Sequence, residues 1–303
     1  MSTVQVKKLH TLTGHRDCVY TLQPSDDPAV FFSAAGDGMV VKWDLNNPEE
    51  GQQIAQLANS IYGLHYSSKK DILVAGHNYD GIHLLDWRHK KELGSLKLTS
   101  SAIFDIQSLG NKCFIVSGDG SLTIVDLELL VINKQVKASE KSARTIAINP
   151  GAGELAVGYS DNFIRIFRLE DLSLKHQWEA HKNSIFTLAY SPDFKFLMSG
   201  SRDAHFKSWS VEDSYSLYEE VAAHLYAINN LVFSPDGKHF VTCSLDKSIK
   251  VWQMADLTLL KVIDKARHAG HGTSINKLLW SPFKNQLVSA SDDRTISIWD
   301  VIF

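Results

Sequence analysis

Apolar residues in this chain come in short runs broken by turn residues, and no segment sustains a helical period. Ile185-Phe186-Thr187-Leu188-Ala189-Tyr190 and Ile228-Asn229-Asn230-Leu231-Val232-Phe233 read as strands. A turn signal follows at a constant place, as Ser191-Pro192-Asp193, Ser234-Pro235-Asp236-Gly237, Ser281-Pro282 or Asn149-Pro150-Gly151. Proline pre-sets φ at the second turn position and Asp or Gly suits the next, so these are hairpin loops. A second strand (196–199; 240–243) runs into a turn that carries an aspartate. A third alternates, as in Ser248-Ile249-Lys250-Val251-Trp252, and a fourth, such as 259–263, completes the unit. The pattern predicts an all-β chain.

The unit recurs. In four places a histidine is followed at +18, +22 and +28 by a hydroxyl residue, an aspartate and a tryptophan. The sets are His15, Ser33, Asp37, Trp43; His181, Ser199, Asp203, Trp209; His224, Thr242, Asp246, Trp252; and His271, Ser289, Asp293, Trp299. Leu85, Val125 and Phe167 take the tryptophan's place in three weaker units, with steps of 42, 40, 42, 42, 43 and 47 residues from Trp43 to Trp299. The turn aspartate persists as Asp119 and Asp161; in the second unit Tyr79 holds its slot and Asp80 follows. Fixed spacing at this period signals stacked supersecondary units. An enzyme needs one Ser-His-Asp triad, not four copies in register, so the sets speak for architecture and no catalytic residue is assigned.

With Gly14-His15 opening a unit and Trp43-Asp44 or Trp299-Asp300 closing one, the chain resembles the WD-repeat family of β-propellers over essentially all 303 residues. The resemblance implies a seven-bladed β-propeller of four-stranded antiparallel blades, a single domain over 1–303. It implies that an N-terminal strand near 4–12 closes the last blade, whose own run ends after a third strand. It also implies a network in each complete set, with imidazole bridging carboxylate to hydroxyl and hydroxyl reaching the indole N–H. The second to fourth units lack both histidine and tryptophan, with Leu57, Thr99 and Ser139 near the histidine position. Those blades are expected to rely on packing and to be the softer part of the ring.

Composition narrows the function classes. The chain has 44% hydrophobic and 21% charged residues, and 31 basic against 34 acidic residues give a net charge of −3. That balance gives no general attraction to nucleic acid, which is not expected as a partner. The start, Met1-Ser2-Thr3-Val4-Gln5-Val6-Lys7-Lys8, has no apolar core of a secretion signal, and no run approaches a membrane span. Cys18, Cys113 and Cys243 make no disulfide framework. A cytoplasmic protein, monomeric on its own and without membrane contact, is expected. No cofactor is expected, nor any metal: His65, His77, His83 and His89 crowd the second unit, but strand alternation should scatter them over both faces.

The informative positions are the non-repeating ones beside the repeat. The family resemblance implies peptide binding on the face of the histidine loops, through residues three and five after the histidine and the residue before the turn aspartate. The third residues, Cys18, Ser60, Ala102, Ser142, Ser184, Ala227 and Ser274, are all small. The fifth residues are Tyr20, Tyr62, Phe104, Arg144, Phe186, Asn229 and Asn276. The residues before the turn position include Arg202, Leu245 and Asp292. Aromatics and arginines are the types enriched in binding hot spots. The longer last histidine loop adds a basic lip, Lys265-Ala266-Arg267-His268. The expected function is a non-enzymatic protein-interaction platform, binding a protein or peptide with apolar and acidic residues at the channel mouth. An enzyme or small-ligand binder using that mouth is the alternative, with a nucleic-acid-associated adaptor behind it.

Overall fold

The turn aspartates hold their own turns. One carboxylate oxygen accepts the N–H two residues on, from Met39, His205, Ser248 and Thr295 at 2.9, 3.1, 3.0 and 3.1 Å. The other accepts the N–H after the histidine, from Arg16, Lys182, Leu225 and Gly272 at 2.7, 2.9, 3.1 and 3.3 Å. These bonds fix the turn through a left-handed residue, Gly38 at φ +75° in the first unit and Ala204, Lys247 and Arg294 in the others. At Gly38 a Cβ would stand 2.2 Å from the Leu57 carbonyl oxygen, so a side chain there would force the backbone to shift.

On these turns the chain builds seven antiparallel sheets of four strands each, arranged as a β-propeller in this computed structural model, which describes residues 4–303. Residues 1–3, where the expected domain begins, lie outside the described residues. The innermost strands touch their neighbours in sequence, and Val19–Pro24 also touches Ile275–Trp280, which closes the ring. Strand Gln5–Leu12 pairs antiparallel with Ile296–Ile302 and supplies the outer strand of the last blade. Apolar clusters fill the spaces between sheets; Trp43, Leu85, Val125, Phe167, Trp209, Trp252 and Trp299 are all buried in them. Among the described residues, all-β structure is interrupted by a single helical turn, Lys265–His268, and a short 3-10 turn, Phe283–Asn285.

Each complete set is a continuous hydrogen-bonded chain. Histidine Nδ1 meets the aspartate at 3.2, 3.0, 2.8 and 2.9 Å in chain order. Nε2 lies 2.7, 2.8, 2.8 and 2.9 Å from the hydroxyl. The same hydroxyl accepts the indole N–H at 2.8, 2.9, 2.9 and 2.8 Å. Ser33, Ser199, Thr242 and Ser289 are completely buried, so no substrate reaches these hydroxyls. Because removing one member leaves a buried partner unsatisfied, His181→Ala and Asp246→Ala should each cost about 1–3 kcal/mol in urea denaturation.

The expectation that the second to fourth blades rely on packing needs correction, because shorter polar links replace the imidazole. Thr99 and Ser117 hydroxyls donate to Asp119 at 2.9 and 2.7 Å. Ser139 donates to Asp161 at 2.7 Å, and the Arg165 guanidinium grips the same carboxylate through both terminal nitrogens at 3.0 and 2.8 Å. In the second blade His77 Nε2 accepts the Asn59 N–H at 3.1 Å. The third to sixth blades are also stitched to the next blade from the channel side. Asp105, Thr145, Thr187 and Asn230 each accept a backbone N–H of the following blade, from Ile146, Leu188, Leu231 and Leu278 at 2.8, 3.3, 3.3 and 3.0 Å.

Candidate functional site

A β-bulge aims the site residues. In every blade the register between first and second strands slips at the fifth residue after the histidine position. Tyr20, Phe104, Arg144, Phe186, Asn229 and Asn276 each stand as the extra residue; in the second blade Tyr62 and Gly63 share the slip. A bulge bends the strand and re-aims its side chain. Seven bulges at one level therefore turn seven side chains into one opening. All seven line a single cavity of about 500 Å³, together with Tyr79, Ala102 and Lys277.

The aromatic side chains form a wall and leave the opening free. Tyr20 and Tyr62 meet edge to face at 4.6 Å between centroids, and Tyr62 stacks on Phe104 at 5.8 Å. The Arg144 guanidinium lies 4.1 Å from the Phe104 ring centre and 5.4 Å from that of Phe186, within cation–π range. Arg144 Nε donates to Ser160 Oγ at 3.0 Å. Burial works against its charge, as does nearby Arg202, and its pKa lies below the ordinary guanidinium value although Tyr62 draws it up. Arginine stays protonated all the same. Among the described residues no carboxylate forms an ion pair with Arg144 or Arg202. The opposite side is polar and committed: Asn229 donates to the Ile275 carbonyl at 2.8 Å, and Asn276 to the Val19 carbonyl at 3.0 Å and to Asp292 at 2.7 Å.

The remaining candidates sit around this opening without lining it. Arg202 and Leu245 are exposed, and Asp292 is half-buried beside Asn276. The basic loop Lys265–His268 folds into a helical turn against strand Gln5–Leu12, where Lys8 Nζ donates to Ala269 O at 2.9 Å, and Lys265 stays exposed. Asp264 caps that turn and holds Arg267 at 2.6 Å, so this guanidinium is already neutralised. Two cavity residues escape a reading of the sequence. Tyr79 occupies the slot its blade's aspartate vacated, at φ +70° and 64% exposed, and Lys277 follows a bulged asparagine. The vacated slot is the available signal for Tyr79. The scatter expected of the second-unit histidines is also corrected: His77 and His83 face each other beside Asp80. They lie on adjacent paired strands, so alternation along each strand places them on one side. His65 and His89 point elsewhere, to Ser108 and Asp86.

Several buried histidines make the fold sensitive to acid. Burial lowers the pKa of His15, His181 and His224 against the pull of their aspartates, and pushes His65 down to about 4. A histidine depressed in the fold leaves the unfolded chain binding more protons, so stability is intact above the unfolded pKa of about 6.5 and falls as pH drops below it. Asp203, Asp246 and Asp293 act further down: burial opposes their charge, but the histidine bonds and backbone N–H groups outweigh it and hold each carboxyl well below its usual range. The urea midpoint should therefore decline between pH 6.5 and 4. His65→Gln should flatten that decline; an unchanged slope would place the proton uptake on other groups.

Repeated His–Ser/Thr–Asp–Trp networks in blades closed by an N-terminal strand define a WD-repeat propeller. The family model "WD domain, G-beta repeat" matches residues 6–44, 172–210, 216–253 and 264–300, about half of the chain, and the protein belongs to that family. Its relatives include Protein groucho of Drosophila melanogaster, 25% identical over 226 residues that make 70% of this chain and 30% of that protein. Striatin-3 of Homo sapiens is 24% identical over 246 residues, 73% of this chain and 30% of striatin-3. WD repeat-containing protein 1-B of Xenopus laevis is 24% identical over 221 residues, 69% and 35% of the two chains. The chain thus spans about a third of the length of these curated relatives. Among the described residues no helix is long and apolar enough to cross a membrane.

Proposed function

We propose that this protein is a non-enzymatic protein-interaction scaffold. Its channel mouth receives a partner segment carrying an apolar or aromatic anchor flanked by acidic residues. One observation carries the reading: Tyr20, Tyr62, Tyr79, Phe104 and Phe186 converge on one cavity in which Arg144 is stacked without a carboxylate partner among the described residues. A cavity of about 500 Å³ has room for one large side chain, since binding pockets run to roughly 300–1,000 Å³. The anchor packs against the aromatic wall, and its acidic neighbour pairs with the planar guanidinium of Arg144 or Arg202. Membership of the WD-repeat family supports a protein partner in general. The cysteines are free, which supports a cytoplasmic setting.

The test is affinity capture from native cell extract, comparing wild type with a mouth variant and with Asp236→Lys on the opposite face. The main partner should be lost with the mouth variant and kept with the other, and retention should weaken only moderately as salt rises, given the net charge of −3. The reverse pattern would move the binding surface to the opposite face.

A further inference from the structure

The second blade lacks the histidine–aspartate chain that closes the turn in four other blades, yet it concentrates ligand atoms near its own turn. His77, Asp80 and His83 each offer one donor atom, and all three atoms lie within 4.8 Å of one another. His77 is buried, and its Nδ1 lies 3.5 Å from the Asp80 carboxylate, beyond a good hydrogen bond. His77 Nδ1 and His83 Nε2 are both shielded from solvent with no hydrogen-bond partner. The two rings stand edge to face at 5.2 Å. Buried imidazole nitrogens without partners are costly; others occur at His65, His239 and His268, but among the described residues only here do two of them converge with a carboxylate within 4.8 Å.

We propose that His77, Asp80 and His83 form a divalent transition-metal site, of the zinc class, that staples the second blade's turn in place of the missing tetrad. Two imidazoles and one carboxylate suit Zn²⁺, with a fourth position left to water. His83 is already oriented for coordination, because its Nδ1 lies 2.9 Å from Glu92 Oε1, which fixes the proton there and turns the Nε2 lone pair inward. His77 has a cost to meet, because coordination through Nδ1 sends the ring proton to Nε2 and displaces the bond from the Asn59 N–H. Ligand atoms of a tetrahedral zinc stand roughly 3.3 Å apart; His77 Nδ1 and Asp80 at 3.5 Å already approach that spacing, and side-chain rotation closes the remaining gaps within the 4.8 Å cluster. Coordination would tighten the turn on Tyr79, the adjoining residue of the channel mouth.

The experiment is calorimetric titration of the chelator-treated full chain with ZnCl₂, with thermal melts in parallel. Wild type should take up one equivalent and gain several degrees in melting temperature. His83→Asn and the solvent-facing Asp80→Asn should each weaken uptake at least about tenfold and abolish the thermal gain; Glu92→Gln should weaken it about tenfold through the outer shell. His89→Asn, at an exposed histidine of the same blade, should change nothing. No uptake by wild type, uptake that survives both Asp80→Asn and His83→Asn, or uptake without a thermal gain would overturn the assignment.

Discussion

A chain lacking residues 2–12 should aggregate, or lose most of its stability, on expression at ordinary temperatures. Strand Gln5–Leu12 pairs with Ile296–Ile302 along its whole length, from Gln5 opposite Ile302 to Leu12 opposite Ile296. Its removal exposes the backbone donors and acceptors of Ile296-Ser297-Ile298-Trp299-Asp300-Val301-Ile302, an apolar segment that then becomes a sheet edge open to a second copy. It also strips two cores at once: Leu12 packs in the cluster shared with the first blade, and Val4 in the one shared with the sixth. Full burial of such side chains contributes about 1.5–3 kcal/mol each, before the strand ladder is counted, against a total stability of about 5–15 kcal/mol. Light scattering and a thermal melt read the outcome. A truncated chain that stays monomeric with an unchanged melting temperature would show that ring closure does not depend on this strand.

Phe104→Ala combined with Arg202→Glu should abolish capture of the main partner while moving the melting temperature little. Phe104 is half-buried, flanked by Tyr62 and Arg144, and its loss opens the middle of the aromatic wall. Truncating one anchor at a genuine hot spot costs about 2 kcal/mol or more, roughly thirtyfold in affinity. Arg202 is exposed and forms no ion pair among the described residues, so reversing its charge removes no structural contact while placing a carboxylate beside the acidic part of the partner. Capture that survives the double change would remove the mouth from consideration. Capture lost together with a collapsed melting temperature would be separated by circular dichroism and by Arg202→Glu alone, which the fold tolerates.

The propeller is legible in the chain because a repeat is a local matter. Four blades reuse one spacing of histidine, hydroxyl, aspartate and tryptophan, and one oxygen of each turn carboxylate accepts the N–H only two positions ahead of it. Turn residues and alternation therefore mark the strands, and the ring order follows chain order. The seven fifth-position residues can be named for the same reason, since the offset from the histidine counts them. What the offset does not contain is their direction. Phe104 or Arg144 faces the mouth because a bulge inserts it as the unmatched residue between two strands, and pairing is a property of both strands together.

The remaining features are side-chain contacts that the repeat spacing does not encode. Thr99 and Ser139 replace an imidazole only because folding brings them to Asp119 and Asp161, while Arg165 reaches Asp161 from four residues along the chain. Arg267 reads as a free charge along the chain, yet Asp264, just before its helical turn, holds it. His77 and His83, scattered by the alternation rule applied strand by strand, meet because their strands pair in a register that places both side chains on one side. Local periodicity thus set which residues recur and how many blades form. Strand register and ring closure decided which side chains share a cavity, because those contacts join residues far apart along the chain and arise only when the sheets are assembled.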